Sequence, residues 1–511
     1  MVAAVPAVTN LPGFPATAAR PAGKGGQRLQ VAAGPSPVAP PPRAAPDTPI
    51  MQPSTPPEIG RAEPGRLTGR NATMPAFSKR WWRHGLPLLA ALAGGAALAW
   101  LLADRLLVDR RPVVVGILHS PSGPLAASER SMIDAMLMAI DEINRTGGLL
   151  GRRVRGVIAA TGPEGGLARQ TERLIRDERA SVIIGCGTSG DRKVILPVIE
   201  HADHLLLQIR PYEGLEHSAS VVSTGAVANQ QITPAVQWCH DNLSARRFLL
   251  VGPDDVWPRC INAIAADQIR GVGDEVLDEM YLPPASTSVE DAVRRVVELE
   301  PDVVLCSLAG DAATAFFSRL RAAGVRPDRT PVVAFELSED DLRKLDVDDA
   351  VGNYVAANYF QSIDRPENLA FVRAFKARYG EDRSTTAAVV NAYDSVRMWA
   401  QAVQEAETVD VRQVREALRS QSLDAPAGII AIDPDTQHAW QPVFIGRVRG
   451  DRQFDIVWSS RTAVRPVPFP ISRSRSAWEH FLQGLHHDRG GPQPAASAAI
   501  RRSAVGEPPP R

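Results

Sequence analysis

Residues 185–234, GCGTSGDRKVILPVIEHADHLLLQIRPYEGLEHSASVVSTGAVANQQITP, alternate apolar runs with polar loops rich in hydrogen-bonding groups. Ile183 and Ile184 end one apolar run, and the turn after it presents Thr188, Ser189 and backbone N–H groups at the start of a helix expected over 191–201. Such a junction of strand end and helix start is where open α/β sheets bind ligands, because the helix dipole and its first N–H groups point outward there. The next apolar run, 205–207, brings Gln208 and Arg210 to the same edge before Pro211 and Gly214 turn the chain away. Two neighbouring strand ends converge, and the stretch reads as one wall of a small-molecule cleft.

The same rhythm extends outward in both directions. VVVGIL after Pro112 is a buried strand, and residues 128–144 set Met132, Met136, Ile140 and Ile143 on one helical face, the spacing of core packing. Gly147 and Gly148 stop that helix; strand 153–160, helix 165–178, strand 181–184, helix 191–201 and strand 204–208 follow. Strands alternating with amphipathic helices predict a parallel, doubly wound sheet. After Gln231 the pattern restarts: a helix to about Asn242, FLLVG, a helix from Pro258, EVLDEMYL, a helix near 288–298, VVLCSL, a helix from Asp311, PVVAF and a short helix from Ser338. The fold class is therefore α/β, with two doubly wound, Rossmann-like lobes of similar size. Helices over 366–378, 386–406 and 411–418 come next, then PVFIGRV and FDIVW, which can pair as a hairpin. Pro466, Pro468 and Pro470 close a bilobal domain expected over 112–470, leaving 471–511 as a mostly disordered tail.

The flanks differ in kind. Across 511 residues, 44% hydrophobic and 22% charged content fits a globular body with extra segments, and residues 1–73 are crowded with Pro and Gly and read as disordered. Residues 85–107 begin with the uncharged run GLPLLAALAGGAALAWLLA, long enough to cross a bilayer as a helix. Lys79, Arg80 and Arg83 precede it, whereas Asp104 and Asp109 dilute the basic residues after it, so the positive-inside bias puts the large C-terminal part outside the cytoplasm. Met74 is a candidate start, which would give this segment the layout of a secretory signal; Leu101, Leu102, Leu106 and Leu107 prolong the run and favour an uncleaved anchor.

Lys plus Arg number 57 and Asp plus Glu number 57, so no basic field points to nucleic acid. There is no GxxxxGK[ST], HExxH or CxxC pair, no nucleophile elbow and no cofactor loop, which argues against an enzyme and predicts no metal and no cofactor. Cys186 and Cys306 end apolar strands and read as core residues, while Cys239 and Cys260 either pair or stay free. His201 and His204, like His486 and His487, read as surface histidines.

Motifs in order along residues 113–458 carry a resemblance. They are VGILHSPSGPLAASE, AIDEINRTGGLLGR, TSGDRKVILPVIE, RPYEG, ANQQ, VGPDDVWPRCIN, NYFQSIDRPEN, the DAPAG turn and QPVFIGRVRGDRQFDIVW. The chain resembles the type I periplasmic binding proteins of the leucine/isoleucine/valine superfamily, and within them the urea and short-chain amide branch. The resemblance implies two lobes joined by a hinge of crossing strands that close on a solute, which is passed to an ABC permease or reported to a regulator. It implies that Asn358, Tyr359 and Phe360 are hinge or core groups.

The amide-binding relatives usually carry an aromatic residue where this chain has Gly187, a tyrosine at Gln208, a small hydroxyl residue at Arg210 and a tyrosine at Asp255; Trp257 stays aromatic. Ser189, at a helix start, either caps the helix or hydrogen-bonds a ligand. Arg210 can hold a carboxylate bidentately or form an internal ion pair with an acid such as Asp255. Asp311 can cap its helix or accept a ligand N–H, Trp257 can stack on the ligand or support its loop, and Glu336 is a further candidate. Thr188, Ser189, Gln208, Arg210, Asp255, Trp257, Asp311 and Glu336 are the expected ligand set. An arginine among acids suggests a zwitterion, with Arg210 on its carboxylate and Asp255 or Asp311 on its ammonium. The expected function is the solute-binding component of an ABC transporter for a small amide, urea, amino acid or small carboxylate, with a ligand-sensing receptor ectodomain as the alternative.

Overall fold

β1, Val113–Leu118, is buried at all six positions, as a central parallel strand with helices on both faces must be. It belongs to a computed structural model that describes residues 111–119, 126–160, 166–284 and 286–487. The first lobe continues with α1 (Ala126–Arg145), β2 (Val154–Ile158), α2 (Leu167–Arg176), β3 (Val182–Gly185), α3 (Ser189–His201), β4 (Leu206–Gln208) and β5 (Val221–Ser223). Its strands form one parallel sheet in the order β2-β1-β3-β4-β5. Met132, Met136 and Ile140 of α1 lie buried in the core, as their spacing predicts.

The second lobe runs through α4 (Ile232–Asn242), β6 (Arg247–Pro253), α5 (Val256–Gly271), β7 (Glu275–Leu282), α6 (Glu290–Leu299), β8 (Val303–Cys306), α7 (Gly310–Ala322), β9 (Val332–Ala334), α8 (Glu339–Leu342), α9 (Val347–Ala350) and β10 (Tyr354–Ala357). The chain then returns to the first lobe with α10 (Pro366–Tyr379) and α11 (Ala387–Glu405), which packs along α1. After α12 (Val411–Leu418) come β11 (Ser422–Ala425), β12 (Gly428–Ile432) and β13 (Ala439–Trp440), a small antiparallel sheet. The expected hairpin forms: β14 (Phe444–Val448) and β15 (Phe454–Ser459) pair antiparallel and extend the second sheet to β15-β14-β10-β9-β8-β6-β7.

Three segments cross between the lobes, at 224–231, 358–363 and 441–443, and buried amides stitch them together. Gln231 Nε2 donates to the Phe335 and Ala356 carbonyls, each at 2.8 Å, and Asn358 Nδ2 donates to those of Gln230 at 3.1 Å and Pro442 at 2.8 Å. Gln441 Nε2 donates to the Thr224 carbonyl. Pairing these polar groups in a buried crossing avoids the penalty of an orphaned carbonyl. Asn358, Tyr359 and Phe360 are buried in this region, as the resemblance implies.

The packed body runs on past Pro470. A last helix, α13 (Arg475–His487), buries Trp478 completely in the second-lobe core; Trp478 Nε1 donates to the Pro470 carbonyl at 2.8 Å, and Arg473 pairs with Asp267 at 2.7 Å. Cys239 and Cys260 both lie buried in that same core with no disulfide between them, so the bridge left open by the sequence is absent. His204 is buried rather than at the surface, because its Nε2 meets the Ala180 carbonyl at 2.8 Å. The expectations for residues 1–73, Met74 and 85–107, and for the tail beyond 487, fall outside the described residues. Among the described residues no helix is long and apolar enough to cross a membrane.

Candidate functional site

The C-terminal edge of the first-lobe sheet gathers the ends of β1, β3 and β4. At the end of β3, Gly185 has φ +133°, and a Cβ there would lie 2.6 Å from the Leu118 carbonyl oxygen and 2.9 Å from the His119 ring, so glycine alone fits. The turn then enters α3 through a capping box: Thr188 Oγ1 accepts the Asp191 N–H at 3.1 Å and Asp191 Oδ2 accepts that of Thr188 at 3.0 Å. Thr188, expected in the ligand set, is engaged as the cap. Ser189 is neither cap nor cleft group; it is buried and donates to Glu213 Oε2 at 2.6 Å.

Ser189 turns that way because a buried arginine needs its neighbours. Arg192, 2% exposed, pairs with Glu213 at 2.7 Å and Glu216 at 3.3 Å and lies over the Tyr212 ring. Burial works against its charge, but Glu213 holds the guanidinium above its ordinary value. Tyr212 OH in turn meets His438 Nε2, and burial depresses that imidazole to about 4. The RPYEG motif is thus an internal clamp for α3 as much as a cleft wall.

Arg210 does face across the cleft, but to a different partner from the one expected. Its Nη2 lies 3.2 Å from Glu336 Oε2, just beyond β9 of the second lobe, and not against Asp255. Asp255 is the N-cap of α5, with Oδ1 accepting the Val256 N–H at 2.7 Å. Burial raises the Glu336 carboxyl above its ordinary value while Arg210 draws it down. Trp257 is half-buried against the second-lobe core, and Asp311 is exposed in the first turn of α7. Of the expected set, the structure pairs Arg210 with Glu336 and sets Gln208 two residues before Arg210 at the end of β4, beside the first crossing, where Gly225 packs directly on the Arg210 carbonyl.

Buried polar atoms at this edge lack hydrogen-bond partners among the described residues: Gln208 Oε1, Arg210 Nη1 and both ring nitrogens of His119. Native interiors pair most such groups, so these orphans are candidate positions for a solute or a water. His119, fully buried, was missed from sequence; its signal was a polar residue closing the apolar run VVVGIL. Its Nδ1 is 3.6 Å from Glu129 Oε2 at the start of α1. Cys186 lies between these ends, its thiol pushed up first by burial and then by Asp191, which leaves it uncharged and inert. Among the described residues no group of acids, histidines and cysteines is arranged to hold a metal ion.

A family model described as a periplasmic binding protein domain matches residues 113–475. A Leu/Ile/Val-binding protein homolog of Brucella suis is 21% identical over 351 residues, covering 66% of this chain and 87% of that protein. A solute-binding protein of an R. palustris ABC transporter, solved in complex with 4-hydroxybenzoate, superposes with a TM-score of 0.64 at 19% identity, covering 69% of this chain and 98% of the other; at that identity the likeness is one of fold. A shorter match, 36% identical over 142 residues, reaches a limonene hydroxylase of Geobacillus stearothermophilus; it covers 27% of this chain, which spans only 26% of that relative's length. The relatives aligned along most of the chain, and the neighbours in fold, are solute-binding proteins rather than enzymes.

Proposed function

This chain belongs to the periplasmic binding protein domain family, in its type I, Leu/Ile/Val-binding form, and from that premise we propose that it is the extracytoplasmic solute-binding component of an ABC transporter. Its two lobes close on a small amide-, urea- or amino-acid-like solute at the base of the cleft. The apolar stretch at 85–107 tethers it to the membrane, where it meets an ABC permease.

The observation that carries this reading is an orphaned donor and an orphaned acceptor at the end of one strand. Arg210 Nη1 offers an N–H and Gln208 Oε1 offers a lone pair, two residues apart at one strand end, both buried and without partners among the described residues. A solute with a carbonyl or carboxylate oxygen next to an N–H satisfies both, and amides, ureas and amino acids all have that pattern. Glu336 already balances part of the Arg210 charge, so a neutral carbonyl suffices. The Leu/Ile/Val-binding homolog and the hydroxybenzoate-bound neighbour support a ligand bearing such an oxygen.

A thermal-shift series tests this, since a ligand bound only by the folded state raises Tm by mass action. Urea, acetamide, propionamide, leucine and small carboxylates are the probes. A shift with amides, urea or amino acids that disappears in Arg210→Ala supports the reading; no shift with any probe, or one indifferent to Arg210→Ala, refutes it.

A further inference from the structure

The orphaned groups do not all sit at one spot. Gln208 and Arg210 close β4, whereas His119 closes β1, and β3 lies between those strands in the sheet. Two strand spacings separate them, roughly 10 Å. The stretch between is the Gly185–Cys186–Gly187 turn, which offers a buried uncharged thiol and two glycines and therefore no charged side chain.

We infer that His119 is a second polar subsite, and that the solute is elongated, with a hydrogen-bonding group at each end: one on Arg210 and Gln208, the other on the imidazole. The inference rests on the solute-binding reading above and deepens it. The imidazole is fully buried and neither ring nitrogen has a hydrogen bond among the described residues. A histidine kept merely to fill space would be a costly filler, because an unmatched buried donor or acceptor loses its hydration with nothing in return. Glu129 lies 3.6 Å from Nδ1, and Nε2 is the ring nitrogen left to meet a ligand. Gly185 makes room for the ring at the strand end, since any side chain there would strike the Nε2 edge. Diamides, amino-amides and amido-carboxylates fit this pattern; urea and acetamide are too short to reach both ends.

Isothermal titration of the intact chain with hexanediamide and with hexanamide, equal in chain length and differing only in the second polar end, tests the inference. Hexanediamide is expected to bind about ten-fold more tightly, the equivalent of one net hydrogen bond. His119→Leu is expected to erase that difference, and His119→Gln to restore part of it; circular dichroism of each variant confirms that it folds. Equal affinity for the two amides, or a difference that survives His119→Leu, overturns the second subsite while leaving solute binding intact. If neither amide binds but leucine or acetamide does, the elongated ligand is likewise overturned. If no probe binds at all, the solute-binding reading falls and this inference with it.

Discussion

Replacing Glu339 with glutamine should change how stability responds to pH. Glu339 opens α8, is 3% exposed, and accepts the Gln361 N–H of the second crossing at 2.7 Å. Burial pushes its carboxyl up from 4.5 to about 8, against the pull of that N–H. In the unfolded chain the group ionises near its ordinary value, so between the two values the unfolded state has released a proton that the native state still holds. Stability therefore falls as pH rises through that window and levels off above the folded value. One proton across roughly 3.5 pH units integrates to a ceiling of about 5 kcal/mol, and local relaxation with water entry brings the expected effect nearer ~2 kcal/mol. Glu339→Gln keeps an oxygen for the Gln361 N–H and removes the titration. Urea unfolding at closely spaced pH values should show variant and wild type diverging as pH rises through the window, in favour of the variant, and running parallel outside it. A difference that stays constant across the window would refute the reasoning.

Three further outcomes follow from other buried groups. Glu213→Ala leaves the Arg192 charge buried with a weakened set of partners and should cost about 3–5 kcal/mol in urea unfolding; a cost below about 1 kcal/mol would mean the network is not what holds α3. His438, depressed to about 4, stays neutral in the native state while the unfolded chain takes up a proton near 6.5, so stability should fall as pH drops between those values and be insensitive above them. His438→Gln should flatten that acid limb, and an unchanged limb would assign it to other groups. Gln231→Ala strips two buried carbonyls of their donor and should destabilise by about 1–3 kcal/mol; a neutral result would mean that water replaces the amide at the crossing.

The alternation of apolar runs with amphipathic helices made both sheets readable, because period-2 and period-3.6 patterns depend only on neighbours a few residues away. The β14–β15 hairpin was readable for the same reason. Contacts made over long sequence distance were not. Arg210 was expected to meet Asp255 if it paired internally, yet its partner is Glu336, 126 residues away, because the register of one lobe on the other sets that distance and no local pattern encodes it. Asp255 instead serves the helix that it begins, and Thr188 rather than Ser189 caps α3 because the capping box needs the residue three before Asp191. Ser189 was drawn away by Glu213, a buried acid whose partner, Arg192, reads in sequence as an ordinary surface residue of a helix. α13 escaped notice because the three prolines before it look like an ending, and only Trp478 hints that a core face follows.

Calorimetric titration of the intact chain with urea, short amides and leucine, in wild type and in Arg210→Ala, tests the central claim most directly. Saturable one-to-one binding of at least one of these is expected, weakened ten-fold or more by Arg210→Ala and unchanged by Asp311→Ala. Binding of the same affinity in Arg210→Ala, or no saturable binding to any of them, would contradict it.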